Sequence, residues 1–407
     1  NYPEIHFIGS VHSELGSVHL TSALDAVDLS GTLGVRGEVN VLPLLPENLR
    51  QQLPEYHFST LPYCRLQIQL ANQLRLNKFN YKAKSKNLKL GRIVFDSLNT
   101  SGNFDGTTLT VNSLSLDRGE QYLDVNLLWN TKVQSYQSAL RGFIIPNEYN
   151  EIMPTWWGSI FNDNFVFNSN SQLYGDFLVA GNIDPITETS FYGSVKGENL
   201  SYKSVPIASG SLILRGRNNY SEINRLSAKS PFGFINGNIQ FTRFRDGIQN
   251  LASIRYDIDT KLPIKYARKL VSNKIEPSFA AFNSEQPATI LFSGAQFREN
   301  LYPKFQGKSC LQLAIDSNGP VSYWGYPLDY LRFNLTAAND LVSIRKLYFG
   351  FAKGTGSGNV DILNSKHSSE FCTQLSLKNA DYNLALTRIN VNNDLQQKIK
   401  KTVTNEE

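Results

Sequence analysis

Three histidines, His6, His12 and His19, lie close together in the sequence and are its first candidates for metal ligation or proton transfer. Residues an even number apart on a strand share a face. The step from 6 to 12 keeps that parity and the step from 12 to 19 breaks it, so one continuous strand would not converge all three. Surface histidines and no metal site are expected. Asp257 and Asp259 share a strand face, as paired carboxylates do in acid–base catalysis, but Arg255 shares it too. A solvated, ion-paired edge is the plainer expectation. Gly354-Thr-Gly-Ser-Gly358 has the glycine content of a phosphate loop, yet such a loop opens a helix. Here Asn359-Val-Asp-Ile362 follows and alternates like a strand, which predicts a turn between strands. No G-x-S-x-G elbow, P-loop or H-E-x-x-H occurs. The sequence therefore offers no catalytic residue and no cofactor site, and the chain reads as a non-enzyme.

The three cysteines, Cys64, Cys310 and Cys372, include no C-x-x-C pair. That excludes a disulfide framework and a cysteine-based zinc site. Cys310 and Cys372 would pair only if their strands were neighbours; otherwise all three are small buried thiols.

The elements that would position any site show as repeats. Val205-Pro206-Ile207 and Tyr326-Pro327-Leu328 read as matching turns. Twenty residues after each proline stands a leucine, Leu226 or Leu347; seven further on, Gly233 or Gly354; four further, Gly237 or Gly358; two further, Ile239 or Val360. A third copy runs from Val94 to Leu114, with Gln121 and Val125 in place of the glycines and Leu127 closing it. Interleaved with these, Pro46 to Pro54 and Pro146 to Pro154 share the form P-x7-P, and a longer relative starts at Pro263. Proline in the first turn with apolar residues three or four apart predicts short amphipathic helices. The units these define are 1–45, the end of a preceding β unit; 46–145, 146–262 and 263–390, three repeats; and 391–407, a polar tail.

Between the helices the pattern alternates with period two. Leu123, Val125, Leu127 and Trp129 point one way, as do Ile254, Tyr256 and Ile258, and Leu311, Leu313 and Ile315. These are half-buried strands with one polar face. A nine-residue helix covers only ~13 Å, too little for a whole sheet. Either the apolar faces meet each other in a sandwich or barrel, or they line a groove filled by something else.

Bulk composition limits the partners. Charged residues are 18% of the 407 and the net charge is +5, with the densest basic run, Lys398 to Lys401, in the tail. The remaining Lys and Arg are scattered, which argues against a nucleic-acid partner. No stretch approaches the ~18 apolar residues of a spanning helix. The sequence starts at Asn1 and shows no signal peptide, so a trimmed product or a fragment is expected, with any anchor outside it. Trp156-Trp157 suits either a membrane interface or the capped end of a β unit.

The stretches Asn199 to Arg215, Ile223 to Leu226 and Ser230 to Ile239, together with Gly325 to Leu328 and Gly354 to Val360, resemble the repeats of bacterial AsmA-like proteins. That group is similar to TamB and the bridge-like lipid-transfer superfamily, and the resemblance covers about two-thirds of the chain. Two departures are the missing glycines of the first copy and the absence of an N-terminal anchor helix. The resemblance implies mostly β architecture, with tandem antiparallel units, each with one short helix, curled into an elongated half-pipe. It implies a periplasmic or cell-envelope protein, anchored at the inner membrane through a segment outside this chain. Its partner would be a phospholipid or other acyl lipid, held for transport between membranes or outer-membrane biogenesis. Leu123, Val125, Leu127, Leu212, Leu214, Ile239, Phe241, Leu311, Leu313 and Val360 would line the groove. The rival expectations are closed β-sandwich repeats acting as a dry-cored interaction scaffold, and a carbohydrate-binding or carbohydrate-active β protein.

Overall fold

The structure is a computed structural model that describes residues 3–40, 56–151, 162, 164–182, 189–217, 219–243, 251–270, 281–297, 309–364 and 368–389. The helix expected at Pro46–Pro54, Trp156-Trp157 and the tail lie outside these. Twenty-two strands belong to one antiparallel sheet and three short ones form a second. The chain divides into two compact units, residues 1–197 with 214–218, and residues 198–213 with 219–407.

Unit 1 is a meander. Strands β1 (Glu4–Ser13), β2 (Gly16–Asp25), β3 (Gly31–Val39), β5 (Tyr63–Ala71), β6 (Arg75–Leu90), β7 (Ile93–Phe104), β8 (Thr108–Arg118), β9 (Gln121–Asn130), β10 (Ser135–Phe143) and β11 (Phe165–Asn182) pair each with the next. The short β4 (Tyr56–Phe58) takes the far end of β6. Among the described residues β1 has only β2 as partner, so it is an open edge. The long β12 (Ser190–Tyr202) and β13 (Val205–Arg217) carry the chain from one unit to the other.

Unit 2 repeats the plan. β14 (Tyr220–Ser230), β15 (Gly233–Arg243), β16 (Leu251–Pro263), β18 (Pro287–Phe297), β19 (Ser309–Ser317), β22 (Tyr330–Ala338), β23 (Leu341–Phe351), β24 (Gly354–Asn364) and β25 (Ser369–Lys378) again pair in order. β25 is the other open edge. The seven-residue helix α1 (Ile264–Leu270) follows Pro263 where a helix is expected, and residues 382–389 are also helical. At Pro146 the expected helix is a single 3-10 turn, Pro146–Tyr149. β17 (Phe282–Asn283), β20 (Val321–Tyr323) and β21 (Tyr326–Leu328) make the small second sheet.

The sequence repeat is a structural one. In β14 and β15, Ile223 faces Ile239 and Leu226 faces Gly237, with a one-residue bulge between. Ile344 and Leu347 face Val360 and Gly358 across an identical bulge. Val111 and Leu114 face Leu127 and Val125 across a third. An asparagine occupies the place opposite each bulge: Asn238, Asn359 and Asn126. Asn238 Oδ1 accepts the Arg225 backbone N–H at 3.0 Å, and Asn126 Nδ2 donates to the Asn112 carbonyl. Such a bulge leaves one residue unpaired and needs a polar partner for its freed backbone groups.

Two readings of turns are corrected. Val205-Pro206-Ile207 and Tyr326-Pro327-Leu328 are strand residues that begin immediately after two-residue turns, whose left-handed members are Lys203 and Ser204 (φ 44 and 68) and Trp324 and Gly325 (φ 49 and 82). Gly354 to Gly358 likewise lies inside β24, and the turn before it is Ala352-Lys353. Gly356 is needed for space: a Cβ there would stand 2.2 Å from the Phe349 ring. At Gly233, φ is 148° and a Cβ would meet the Lys261 carbonyl oxygen at 1.7 Å.

Candidate functional site

Strand register sorts the side chains of each unit onto two unlike faces. In unit 1, Leu20, Val35, Leu66, Tyr81, Gly102, Val111, Leu127, Ser138 and Val179 are successive cross-strand partners, one lateral row over nine strands. In unit 2 the corresponding row runs Leu226, Gly237, Ile258, Phe292, Leu313, Leu335, Ile344, Val360 and Thr373. The adjoining row is Ile223, Ile239, Tyr256, Gly294, Leu311, Ala337, Val342, Ile362 and Phe371. Both rows lie on one face. The opposite face carries Asn238, Asp257, Ser293, Gln312, Thr336, Ser343, Asp361 and Cys372.

A caged apolar face would be buried throughout. These faces are buried mainly at one end. In unit 1 the cap is a cluster of Leu88, Ile93, Phe95 and Tyr149, with Phe58, Leu98 and Leu116 packed on it. The 3-10 turn delivers Tyr149, and Gln121 holds that turn: its Oε1 accepts the Ile145 N–H at 2.9 Å and its Nε2 donates to Glu148 at 2.9 Å. This is why the first repeat has glutamine where the others have glycine. In unit 2, α1 buries Ile264 and Ala267, and the small sheet sets Phe282 against Tyr323 (4.8 Å) and Phe333 (5.7 Å). Leu262, Ile290 and Ile315 are buried in the same end. Away from the caps most of the apolar face is half-buried, with Phe292 and Leu313 buried. Among the described residues, 30 large apolar side chains are exposed against 24 buried apolar residues. Several of the exposed ones, Leu128, Leu178, Leu291 and Tyr348 among them, lie on the opposite face.

The groove residues expected from sequence fall as follows. Leu123, Val125 and Leu127 share the apolar face of unit 1. Ile239, Phe241, Leu311, Leu313 and Val360 share that of unit 2, with Leu313 buried and the others half-buried. Leu212 and Leu214 are half-buried on β13, where the chain passes between units. Sequence alternation gave Tyr256 but missed the other aromatics that widen the face, Phe79, Phe104 and Phe177 in unit 1 and Phe292 and Phe349 in unit 2. Burial pushes the Tyr256 hydroxyl above the usual phenol range, with a smaller contribution from Cys310. A concavity of about 640 Å³ over β8–β12 lies on the other side, between the rows Thr110, Leu128, Gln137, Ala180 and Asn126, Ala139, Leu178.

The histidine expectation is corrected. A hairpin turn between β1 and β2 resets the parity, so His19 pairs with Ser10 and shares a face with His6 and His12. The Ser10 hydroxyl and His19 Nδ1 are 2.7 Å apart. Among the described residues no three His, Cys, Asp or Glu side chains are grouped to hold a metal. Cys310 and Cys372 are not neighbours: β22, β23 and β24 separate them, ~19 Å at ~4.8 Å per strand. All three thiols are free, Cys64 buried and the other two exposed. Asp257 and Asp259 do share a face with Arg255, whose guanidinium lies 6.0 Å from the Phe297 ring centre.

No helix among the described residues is long and apolar enough to cross a membrane. No protein-family model, curated protein sequence or solved structure matches the chain.

Proposed function

We propose that each unit binds the acyl chains of a phospholipid, or of another acyl lipid, along its apolar face, and that the chain acts in moving such lipids within a bacterial cell envelope. The observation that carries this reading is the one-sided face, in register across nine strands, capped at one end and elsewhere mostly half-buried among the described residues. Acyl chains suit such a face because they ask for no directed polar contact. Each buried methylene contributes ~0.8 kcal/mol. A half-pipe curvature of the sheet belongs to the same proposal. No individual residue is decisive, since the binding energy is spread over many aliphatic and aromatic side chains.

The test is direct. The purified chain is extracted with organic solvent and the extract analysed by mass spectrometry for stoichiometric lipid. Delipidated protein is then titrated with a fluorescent fatty acid. A protein that purifies without lipid and takes up none in titration refutes the proposal.

A further inference from the structure

Strand pairing gathers cations that the sequence scatters. His19, Arg36, Arg65, Lys82 and Ser101 are successive partners on the polar face of unit 1, so two arginines and a lysine stand side by side on β3, β5 and β6. Lys78, Lys84 and Lys86 continue along β6 on that face. On this face of the three strands the basic side chains far outnumber the one acid, Glu38. Arg36, Arg65, Lys82, Lys84 and Lys86 are exposed and have no ion-pair partner among the described residues. Like charges placed directly opposite one another oppose sheet pairing. Their retention in register calls for an anionic counterpart.

A second feature adjoins it. The turns at one end of the unit 1 strands carry bare aliphatic side chains: Val27 is 68% exposed, Leu74 51% and Val133 65%. These turns are tied to their neighbours, the Gln73 N–H to the Asp28 carbonyl at 2.7 Å and the Thr131 N–H to the Thr107 carbonyl at 2.9 Å. Asp25 and Asp105 in the same turns spend a carboxylate oxygen on backbone N–H groups at 2.7 Å. The two-residue turns at the other end contain Glu14, Arg92 and Glu120 instead.

We infer that unit 1 docks on an anionic bilayer, with the cationic face against the headgroups and the aliphatic turns reaching the acyl boundary. Basic side chains with apolar ones beside them are what such a surface binds. A soluble polyanion would use the cations and have no use for the turn tips. Nucleic acid is disfavoured because Tyr63 is the one aromatic on this face of the three strands. The inference deepens the lipid reading, yet its test stands apart from it.

The full chain is sedimented with phosphatidylcholine vesicles, with and without phosphatidylglycerol. Binding to the anionic vesicles alone, weakened about tenfold or more by Arg65→Glu with Lys82→Glu, is expected. The triple variant Val27→Ser, Leu74→Ser, Val133→Ser should also weaken it, with circular dichroism unchanged in both. Equal binding to both vesicles, or binding that survives both variants, overturns the inference. So does charge-dependent binding to heparin without vesicle binding. Lipid content is measured on the same samples: lipid-loaded protein that ignores vesicles overturns docking alone, and lipid-free protein that binds them overturns the groove alone.

Discussion

Leu127 and Leu128 are adjacent and face opposite ways, which isolates the proposed lipid surface in a single pair of variants. Leu127 is half-buried on the apolar face between Val111 and Ser138. Leu128 is 47% exposed on the polar face between Thr110 and Gln137. A fully buried leucine side chain contributes ~1.5–3 kcal/mol, so Leu127→Asn at a half-buried site costs about 1 kcal/mol of stability. Domains hold ~5–15 kcal/mol, and the variant stays folded. With lipid bound, the amide leaves two or three acyl methylenes without an apolar neighbour, about 2 kcal/mol or about thirtyfold in affinity. Leu128→Asn should leave lipid binding unchanged. The assay is phospholipid per protein by mass spectrometry, paired with fluorescent fatty-acid titration and a thermal melt. If Leu127→Asn binds the fatty acid as tightly as wild type, or if Leu128→Asn weakens binding as much, the apolar face is not where lipid lies.

Three further outcomes follow from local geometry. Gly356→Val places carbon atoms where the Phe349 ring lies, and the displaced ring should lower stability by about 2–3 kcal/mol in urea unfolding. Asp361 is held below the usual carboxylate range by the Ser343 hydroxyl (2.6 Å) and by Arg345 (2.9 Å). Its contribution is therefore complete above the carboxylate range and lost as pH falls through the folded pKa, so the stability gap between wild type and Asp361→Asn should close in acid. Cys310 and Cys372 should react with a maleimide in the native state, whereas Cys64, whose thiol burial pushes up, should react only on unfolding; three fast thiols would contradict its burial.

Much of the fold is legible in the sequence because a strand's two faces alternate locally. The alternation of Leu123 to Trp129 and of Ile254 to Ile258 needs no knowledge of partners, and both sets lie where expected. The spacing of Leu226 to Ile239 and Leu347 to Val360 even encodes the bulged hairpin, with Asn238 and Asn359 as its overlooked mark. What could not be read depends on pairing between distant segments. Arg36, Arg65 and Lys82 are 29 and 17 residues apart, and only the register of β3, β5 and β6 makes them a row. The histidine parity argument failed for the same reason, since it counted through a turn. Gln121 looked like a degraded repeat position because its partners, Ile145 and Glu148, come from the element that caps the sheet.

The bulge also determines which errors of length this protein tolerates. Ile223 and Leu226 are three residues apart and yet share a face, because Arg225 is an extra residue at φ 52° with no partner on β15. Loss of that one codon would leave a regular strand with both side chains where they were, at the cost of the bond to Asn238. Loss of a codon anywhere else in β14 would turn the rest of the strand inside out, moving apolar residues to the polar face and polar ones to the apolar face. The same holds for Lys346 in β23. Single-residue deletions along these strands should thus be accepted at one step per repeat and rejected at its neighbours, a pattern that a deletion scan would read directly.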